Sequence, residues 1–95
     1  MSSDAEIAVL HNEAESRFEA TVDGHLAECE YLLQQGTIVF THTFVPPELR
    51  GRGIAEKLAR TALEYARQQR LAVVPACSYL AAYVRRHPEY ASLLA

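Results

Sequence analysis

Alternating apolar and polar positions predict a series of β-strands in the first half of the chain. Residues 16–23 carry an apolar side chain at every second position, which is the period-two pattern of a half-buried strand. Asp23-Gly24 follows, and this dipeptide favours a two-residue hairpin turn because both of its residues accept positive φ. Residues 25–34 form the predicted return strand, and Gly36 closes a second turn. The apolar face of the return strand is predicted to hold Ala27, Cys29, Tyr31 and Leu33.

Residues 37–45 form the most strand-like segment, because nearly every position is β-branched or aromatic. This composition predicts a strand buried on both faces and ended by Pro46-Pro47, since proline cannot donate to a sheet. A shorter strand over residues 5–10 is predicted to precede the hairpins. Strict alternation places four side chains of the 37–45 strand on one face: Ile38, Phe40, His42 and Phe44.

The periodicity becomes helical in the second half of the chain. Residues 53–69 repeat apolar side chains at three- and four-residue spacing, which predicts an amphipathic helix lying on the sheet. Residues 71–75 form a short apolar run of strand length. Residues 78–87 predict a second helix, with Ser78 as its N-cap and Pro88 ending it.

This order of elements predicts an α+β fold with a mainly antiparallel sheet and a βαβα C-terminal half. The strand at 71–75 follows a helix that follows a strand, so it is expected to lie parallel to the 37–45 strand. The chain of 95 residues is expected to form one domain, because several cores are found only at about 250 residues or more.

Composition narrows the class of protein. Apolar residues make up 49% of the chain and charged residues 22%, and no run approaches the ~20 apolar residues of a membrane-spanning helix. The first ten residues are acidic and lack a basic flank before an apolar run, so we expect a cytoplasmic protein with no membrane partner. Two separated cysteines and four scattered histidines show no ligand spacing, which predicts no metal site.

Charge is divided unevenly along the chain. Residues 1–48 carry nine acidic side chains and one basic, whereas residues 49–95 carry eight basic and three acidic. This polarity would attract an anionic ligand to the second half, although an uneven solvated surface is an equally simple interpretation. A nucleic-acid partner is disfavoured by the acidic first half and a pI near 5.7.

The segment VPPELRGRGIAEKLA, residues 45–59, carries the most specific chemical signal. A strand that feeds a glycine-rich turn into a helix N-terminus leaves backbone N–H groups unpaired at the positive end of the helix dipole. Such a turn can hold a phosphate, and Arg50 and Arg52 add charge there. The lysine and hydroxyl residue of a P-loop are missing, and a helix start that merely uses two glycines remains an alternative.

The same segment resembles the R/Q-x-x-G-x-G/A motif of the GNAT superfamily of acetyl-CoA-dependent N-acetyltransferases, with Arg50, Gly53 and Ala55 at the defining positions. More specifically, residues 15–90 resemble a branch of very short, single-domain GNAT-like proteins. The resemblance implies that the turn binds the pyrophosphate of coenzyme A and that the pantetheine arm lies along the preceding strand. The implied coenzyme-binding residues are Thr43, Phe44, Val45, Arg50, Gly51, Arg52, Gly53, Ile54, Ala55 and Lys57.

Four residues are candidates for the acetyl transfer itself. His42 is a candidate base, because an alkyl amine with a pKa near ~10.4 is almost entirely protonated at neutral pH. Cys77 lies at a strand-to-helix junction, where the dipole favours a thiolate, and the resemblance marks it as an active-site residue. Tyr79 and Tyr83 are candidate acids for the leaving thiolate. Each of the four could instead be a core residue, and Arg85 and Arg86 could either cap the C-terminus of the second helix or face the coenzyme phosphates.

The sequence therefore predicts an acetyl-CoA-dependent N-acetyltransferase that uses either direct transfer or an acetyl-Cys77 route. The chain lacks the helices that usually shape the acceptor site of the superfamily, so the alternative is a catalytically weak coenzyme A-binding or interaction module. The expected partners are acetyl-CoA and an amine acceptor of unknown identity. We expect a monomer or a weak dimer.

Overall fold

The computed structural model describes residues 7–95 and contains one five-stranded sheet with the strands in sequence order. The first three strand pairs are antiparallel, and the last pair is parallel, as predicted. The strands are β1 (Leu10–Asn12), β2 (Arg17–Val22), β3 (His25–Gln34), β4 (Thr37–Phe44) and β5 (Ala72–Pro75).

Two tight turns join the three central strands. Asp23 and Gly24 both have positive φ, at 51° and 78°, which is the geometry predicted for this dipeptide. Gln35 and Gly36 repeat the arrangement at 44° and 83°. The hairpins therefore begin and end within a residue of their predicted positions.

The first strand differs from its prediction over residues 5–10. Residues 5 and 6 lie outside the described residues, and the strand is Leu10–Asn12. Ile7 and Val9 pack against the core without pairing in a strand. The alternation in this segment therefore reflects packing near the core rather than pairing in the sheet.

A β-bulge in β4 changes which side chains face the core. Tyr31 pairs with Phe40, but the preceding Glu30 pairs with His42, so Thr41 is an extra residue in β4. The prediction that His42 and Phe44 share the face of Phe40 is therefore wrong, because the bulge reverses the alternation after that residue. The inward position passes to Thr43, which is half-buried.

Two helices, α1 (Ile54–Gln68) and α2 (Ser78–Arg86), cover one face of the sheet. Helix α1 contacts β2, β3, β4 and β5, whereas α2 contacts β4 and β5. Within residues 7–95 no helix covers the opposite face, and His42 and Phe44 are exposed there. The prediction that β4 is buried on both faces is therefore also wrong. The core combines apolar residues of both layers, including Phe18, Cys29, Ile38, Phe40, Leu58, Leu63, Val73 and Leu80.

The chain ends beside the parallel strand. Pro88 ends α2 as predicted and begins a 3₁₀ helix, Pro88–Leu93. Leu94 then forms a parallel bridge with Val73, and the Ala95 N–H donates to the Val73 carbonyl at 2.9 Å. Neither helix found in residues 7–95 has the length and hydropathy needed to cross a bilayer.

Candidate functional site

The glycine turn leads directly into α1. Gly51 and Gly53 have φ values of +81° and +75°, a region in which other residues are strained. Gly53 is the N-cap of α1 and provides no capping side chain, so the N–H groups of the first helical turn have no side-chain cap. The positive end of a 15-residue helix is thereby presented by backbone alone.

An open cleft of about 270 Å³ lies against this turn. It is near the lower limit of ligand-pocket sizes, so it fits one portion of a coenzyme rather than the whole molecule. The turn and the start of α1 form one wall, and α2 forms the other. The lining residues are Val45, Leu49, Arg50, Gly51, Gly53, Ile54, Ala55, Glu56, Tyr79 and Arg86.

Tyr79 and Arg86 are the cleft residues that come from α2. They are seven residues apart, close to two helical turns, which places them on the same side of the helix. Both side chains line the cleft, and the positive charge of Arg86 acts on the Tyr79 hydroxyl. Burial, followed by the negative charge of Glu56, raises the pKa of Tyr79 despite the opposing effect of Arg86. Tyr79 is therefore a protonated phenol at neutral pH.

Cys77 is the N-cap of α2, in place of the predicted Ser78, which is the first helical residue. Its sulfur accepts from the Leu80 N–H at 3.4 Å, and its own N–H donates to the Phe40 carbonyl at 2.9 Å. The Thr43 hydroxyl lies 3.4 Å from the same sulfur. The thiol is thus held between the end of β5 and the bulged part of β4.

Cys29 is the second thiol near Thr43. It is completely buried, as predicted for a core residue, and burial raises its pKa to about 12 while a hydrogen bond from Thr43 acts against this shift. Cys29 is therefore an inert thiol at neutral pH. Thr43 pairs with Cys29 across the sheet, while its hydroxyl lies 3.4 Å from the Cys77 sulfur.

The edge of β4 loses its β5 partner close to Cys77. Within residues 7–95, the pairing of β4 with β5 runs from Thr37 to Phe40, after which the chain at Cys77 turns into α2. In this part of the chain, therefore, no β5 residue pairs with β4 beyond Phe40. The stretch without a β5 partner leads towards Val45, which lines the cleft.

His42 lies on the open face of the sheet and is exposed. It pairs across the sheet with Glu30, and its ring stacks with Phe44 at a centroid distance of 6.4 Å. Glu28 is nearby, where burial, followed by the charge of Glu30, raises its pKa. Arg17 partly offsets this repulsion, since its Nη1 atom lies 3.3 Å from the Glu28 carboxylate.

Seven predicted site residues do not line the cleft: His42, Thr43, Phe44, Arg52, Lys57, Cys77 and Tyr83. Arg52 forms an ion pair with Asp23 at 3.4 Å, and Lys57 donates to the Ile7 carbonyl at 3.3 Å on the β1 side of α1. Tyr83 is buried between the helices. Arg86 is a cleft residue that sequence reasoning left undecided, because helical phase alone did not show which arginine faces the turn. No group of three or more His, Cys, Asp or Glu side chains suited to a metal ion occurs in residues 7–95.

Known proteins share both the sequence pattern and the arrangement. Residues 17–93 match the family described as GCN5-related N-acetyl-transferase. Protein NATD1 of Xenopus tropicalis is 30% identical over 91 residues, which cover 93% of this chain and 84% of that protein. Protein NATD1 of Homo sapiens is 43% identical over 47 residues, which cover 50% of this chain and 42% of that protein.

A solved structure extends the likeness to the fold. The solution structure of a GCN5-like protein from Staphylococcus aureus superimposes with a TM-score of 0.73 at 26% identity, over 93% of this chain and 87% of that one. The predicted α+β, GNAT-like fold is thereby confirmed. The family match covers residues 17–93, which is most of the chain. The chain therefore belongs to the GCN5-related N-acetyltransferase family.

Proposed function

We propose that this protein is an acetyl-CoA-dependent N-acetyltransferase that transfers the acetyl group to an amine. The observation that carries the proposal is that the cleft continues into the edge of β4 beyond Phe40, where β4 has no β5 partner. Gly51 and Gly53 form a backbone anion site in the cleft, and Val45 lines the same cleft. From Val45 the edge of β4 leads back to Phe40, whose carbonyl accepts from the Cys77 N–H. These features follow the order of a diphosphate, a pantetheine arm and a thioester.

The diphosphate would bind the uncapped N–H groups at the start of α1. Both glycines allow phosphate oxygens to approach the backbone closely, and the helix dipole favours the negative charge. Arg50 contributes a cation on the same wall, where its Nε atom donates to the Val45 carbonyl at 2.9 Å. Arg52 and Lys57, which were predicted to join this site, face other parts of the surface.

The pantetheine arm would lie along the edge of β4 between His42 and Val45. An extended chain with amide groups can bind a free strand edge through main-chain hydrogen bonds. The end of the β4–β5 pairing at Phe40 supports this path, because no β5 residue among those described pairs with β4 beyond that point. The thioester would then lie beside the bulge, near the Cys77 thiol and the Thr43 hydroxyl.

The acceptor amine would approach from the open face of the sheet. Glu28 and Glu30 attract a cationic amine there, and His42 is close enough in the sheet to serve as its base. In direct transfer the neutral amine attacks the thioester carbon, the carbon–sulfur bond breaks, and Tyr79 supplies a proton to the departing thiolate. In the alternative route the Cys77 thiolate attacks the thioester carbon and displaces the coenzyme A thiolate, which takes its proton from Tyr79. The amine then attacks acetyl-Cys77, the carbon–sulfur bond breaks to regenerate the Cys77 thiolate, and His42 takes the amine proton.

A two-step experiment tests this function. Binding of coenzyme A to the full chain is measured by calorimetry, and transfer from labelled acetyl-CoA to a pool of amines and lysine peptides is then followed. We expect binding and labelled product. Binding without transfer to any acceptor would favour the non-catalytic module, and absence of binding would overturn the proposal.

The two routes are separated by mass spectrometry. Brief exposure of the protein to acetyl-CoA should add one acetyl group at Cys77 if the covalent route operates, and Cys77→Ala should then lose transfer while it retains coenzyme binding. An unmodified protein whose Cys77→Ala variant transfers at the wild-type rate would assign the reaction to direct attack.

A further inference from the structure

Two adjacent arginines at the end of α2 face different parts of the surface. Arg86 lines the cleft opposite Gly51 and Gly53. Arg85 lines a separate depression with Pro75 and Leu94, on the side of α2 that faces the chain terminus. The separation follows from the helix, in which successive side chains point about 100° apart. Only one member of the pair can therefore reach a ligand held by the glycine turn.

The position of Arg86 complements the backbone site. One wall of the cleft presents N–H groups and Arg50, and the other wall presents the Arg86 guanidinium. Glu56 also lines the cleft, so a second cation helps to keep the site attractive to an anion. A planar guanidinium can donate two parallel hydrogen bonds to phosphate oxygens, which a lysine cannot do.

Arg86 also lies near the candidate acid. Both side chains line the same cleft, so the charge of the guanidinium acts on the residue that would protonate the leaving thiolate. Both side chains project from the same nine-residue helix. A change in the position of the guanidinium therefore changes the charge beside the tyrosine hydroxyl.

We propose that Arg86 recognises the diphosphate of the acyl donor from the α2 wall and, from its place beside Tyr79 in the same cleft, positions that hydroxyl when the cleft is occupied. The proposal rests on the proposed function, because it takes the donor to be a coenzyme A thioester. It adds a specificity: donors that carry the diphosphate are favoured over pantetheine thioesters that lack it. Arg86 is a binding residue for the donor and a positioning residue for Tyr79.

The test compares wild type with Arg86→Ala, Arg86→Lys and the matched control Arg85→Ala. Affinities for coenzyme A and for pantetheine are measured by calorimetry. Arg86→Ala should weaken coenzyme A binding about tenfold to a hundredfold, the range expected for a hydrogen bond between charged groups. Arg86→Lys should fall between Arg86→Ala and wild type, and Arg85→Ala should change affinity by less than about twofold. Pantetheine affinity should be the same in all four proteins.

A second readout follows Tyr79 by NMR with ring-labelled tyrosine, assigned with Tyr79→Phe. Coenzyme A should shift the Tyr79 ring signal equally in wild type and in Arg85→Ala, and the shift in Arg86→Ala at saturating ligand should differ from both, because the guanidinium no longer lies beside the hydroxyl. If wild type binds coenzyme A and Arg86→Ala binds it equally well, the role of Arg86 is refuted while the proposed function stands. If wild type itself does not bind, the proposed function fails first. An equal loss of affinity in Arg85→Ala would also refute the proposal, since it would indicate only a general effect of charge.

Discussion

The hydroxyl oxygen of Thr43 lies 3.4 Å from the sulfur of Cys77, although 34 residues separate them in the chain. The contact exists because the bulge at Thr41 turns Thr43 towards the helix side of the sheet, where α2 begins. The same sulfur accepts from the Leu80 N–H. The thiol of Cys77 is therefore placed by two elements, a bulged strand and a helix N-terminus.

Replacing Thr43 should change the reactivity of this thiol. Thr43→Val removes the hydroxyl but keeps the shape, so we expect alkylation of Cys77 by iodoacetamide to slow about twofold to tenfold, the effect of one hydrogen bond. Cys29 does not interfere, because it is buried with a pKa of about 12. Thr43→Ser, which retains the hydroxyl, should react at nearly the wild-type rate. Equal rates for the valine and serine variants would show that the contact has no influence on the sulfur.

Substitution of Gly51 should separate backbone strain from ligand binding. Gly51 and Gly36 have nearly equal φ values, +81° and +83°, and an added Cβ meets no atom within 4 Å at either position. Gly51→Ala and Gly36→Ala should therefore lose similar stability, about 1 to 2 kcal/mol, in thermal unfolding. Only Gly51→Ala should lose affinity for coenzyme A. A comparable loss of affinity in Gly36→Ala would attribute the effect to strain alone.

The two tyrosines of α2 should respond differently to loss of the hydroxyl. Tyr79→Phe is expected to lower kcat by about a hundredfold with coenzyme affinity little changed, because general acid catalysis contributes on this scale. Tyr83→Phe keeps the buried ring and removes only its hydroxyl, so it should change the unfolding free energy by about 1 kcal/mol and leave kcat nearly unchanged. The reverse pattern would exchange their roles.

Glu28 should make stability depend on pH. Burial and the neighbouring Glu30 raise its pKa in the folded protein, so the folded state favours the protonated form. The stabilisation by Glu28 is then complete below the ordinary glutamate pKa and is lost as the pH rises through the raised value. Glu28→Gln should consequently raise the melting temperature at pH 7, by an amount that shrinks towards pH 4. The control Glu13→Gln, at an exposed position, should show no such trend; the same trend there would argue against burial as the cause.

Local patterns predicted most of the fold. The Asp23-Gly24 hairpin, the long amphipathic helix and the parallel strand after it each have a signature within a short stretch of chain, and each lies within a residue or two of its predicted position. The glycine turn could likewise be identified as a candidate anion site, since two nearby glycines before a helix are visible in the sequence. These features depend on periodicity and backbone freedom, which the sequence carries directly.

The errors arise where distant residues decide the outcome. The bulge at Thr41 depends on how β3 and β4 pair, and no turn residue or glycine marks it in the sequence. The alternating pattern therefore predicts the wrong face for His42. Which residues line the cleft also depends on how α2 packs against the glycine turn, and the sequence does not show this packing. Arg86 lines the cleft as a result, whereas Lys57 donates to the Ile7 carbonyl outside it.

A titration of the isotopically labelled protein with coenzyme A tests the central claim most directly. The account predicts that the backbone amide signals of Gly51, Gly53 and Ile54 shift together and saturate, with smaller changes along β4 towards Thr43. Saturating coenzyme that leaves these three amides unmoved would contradict it.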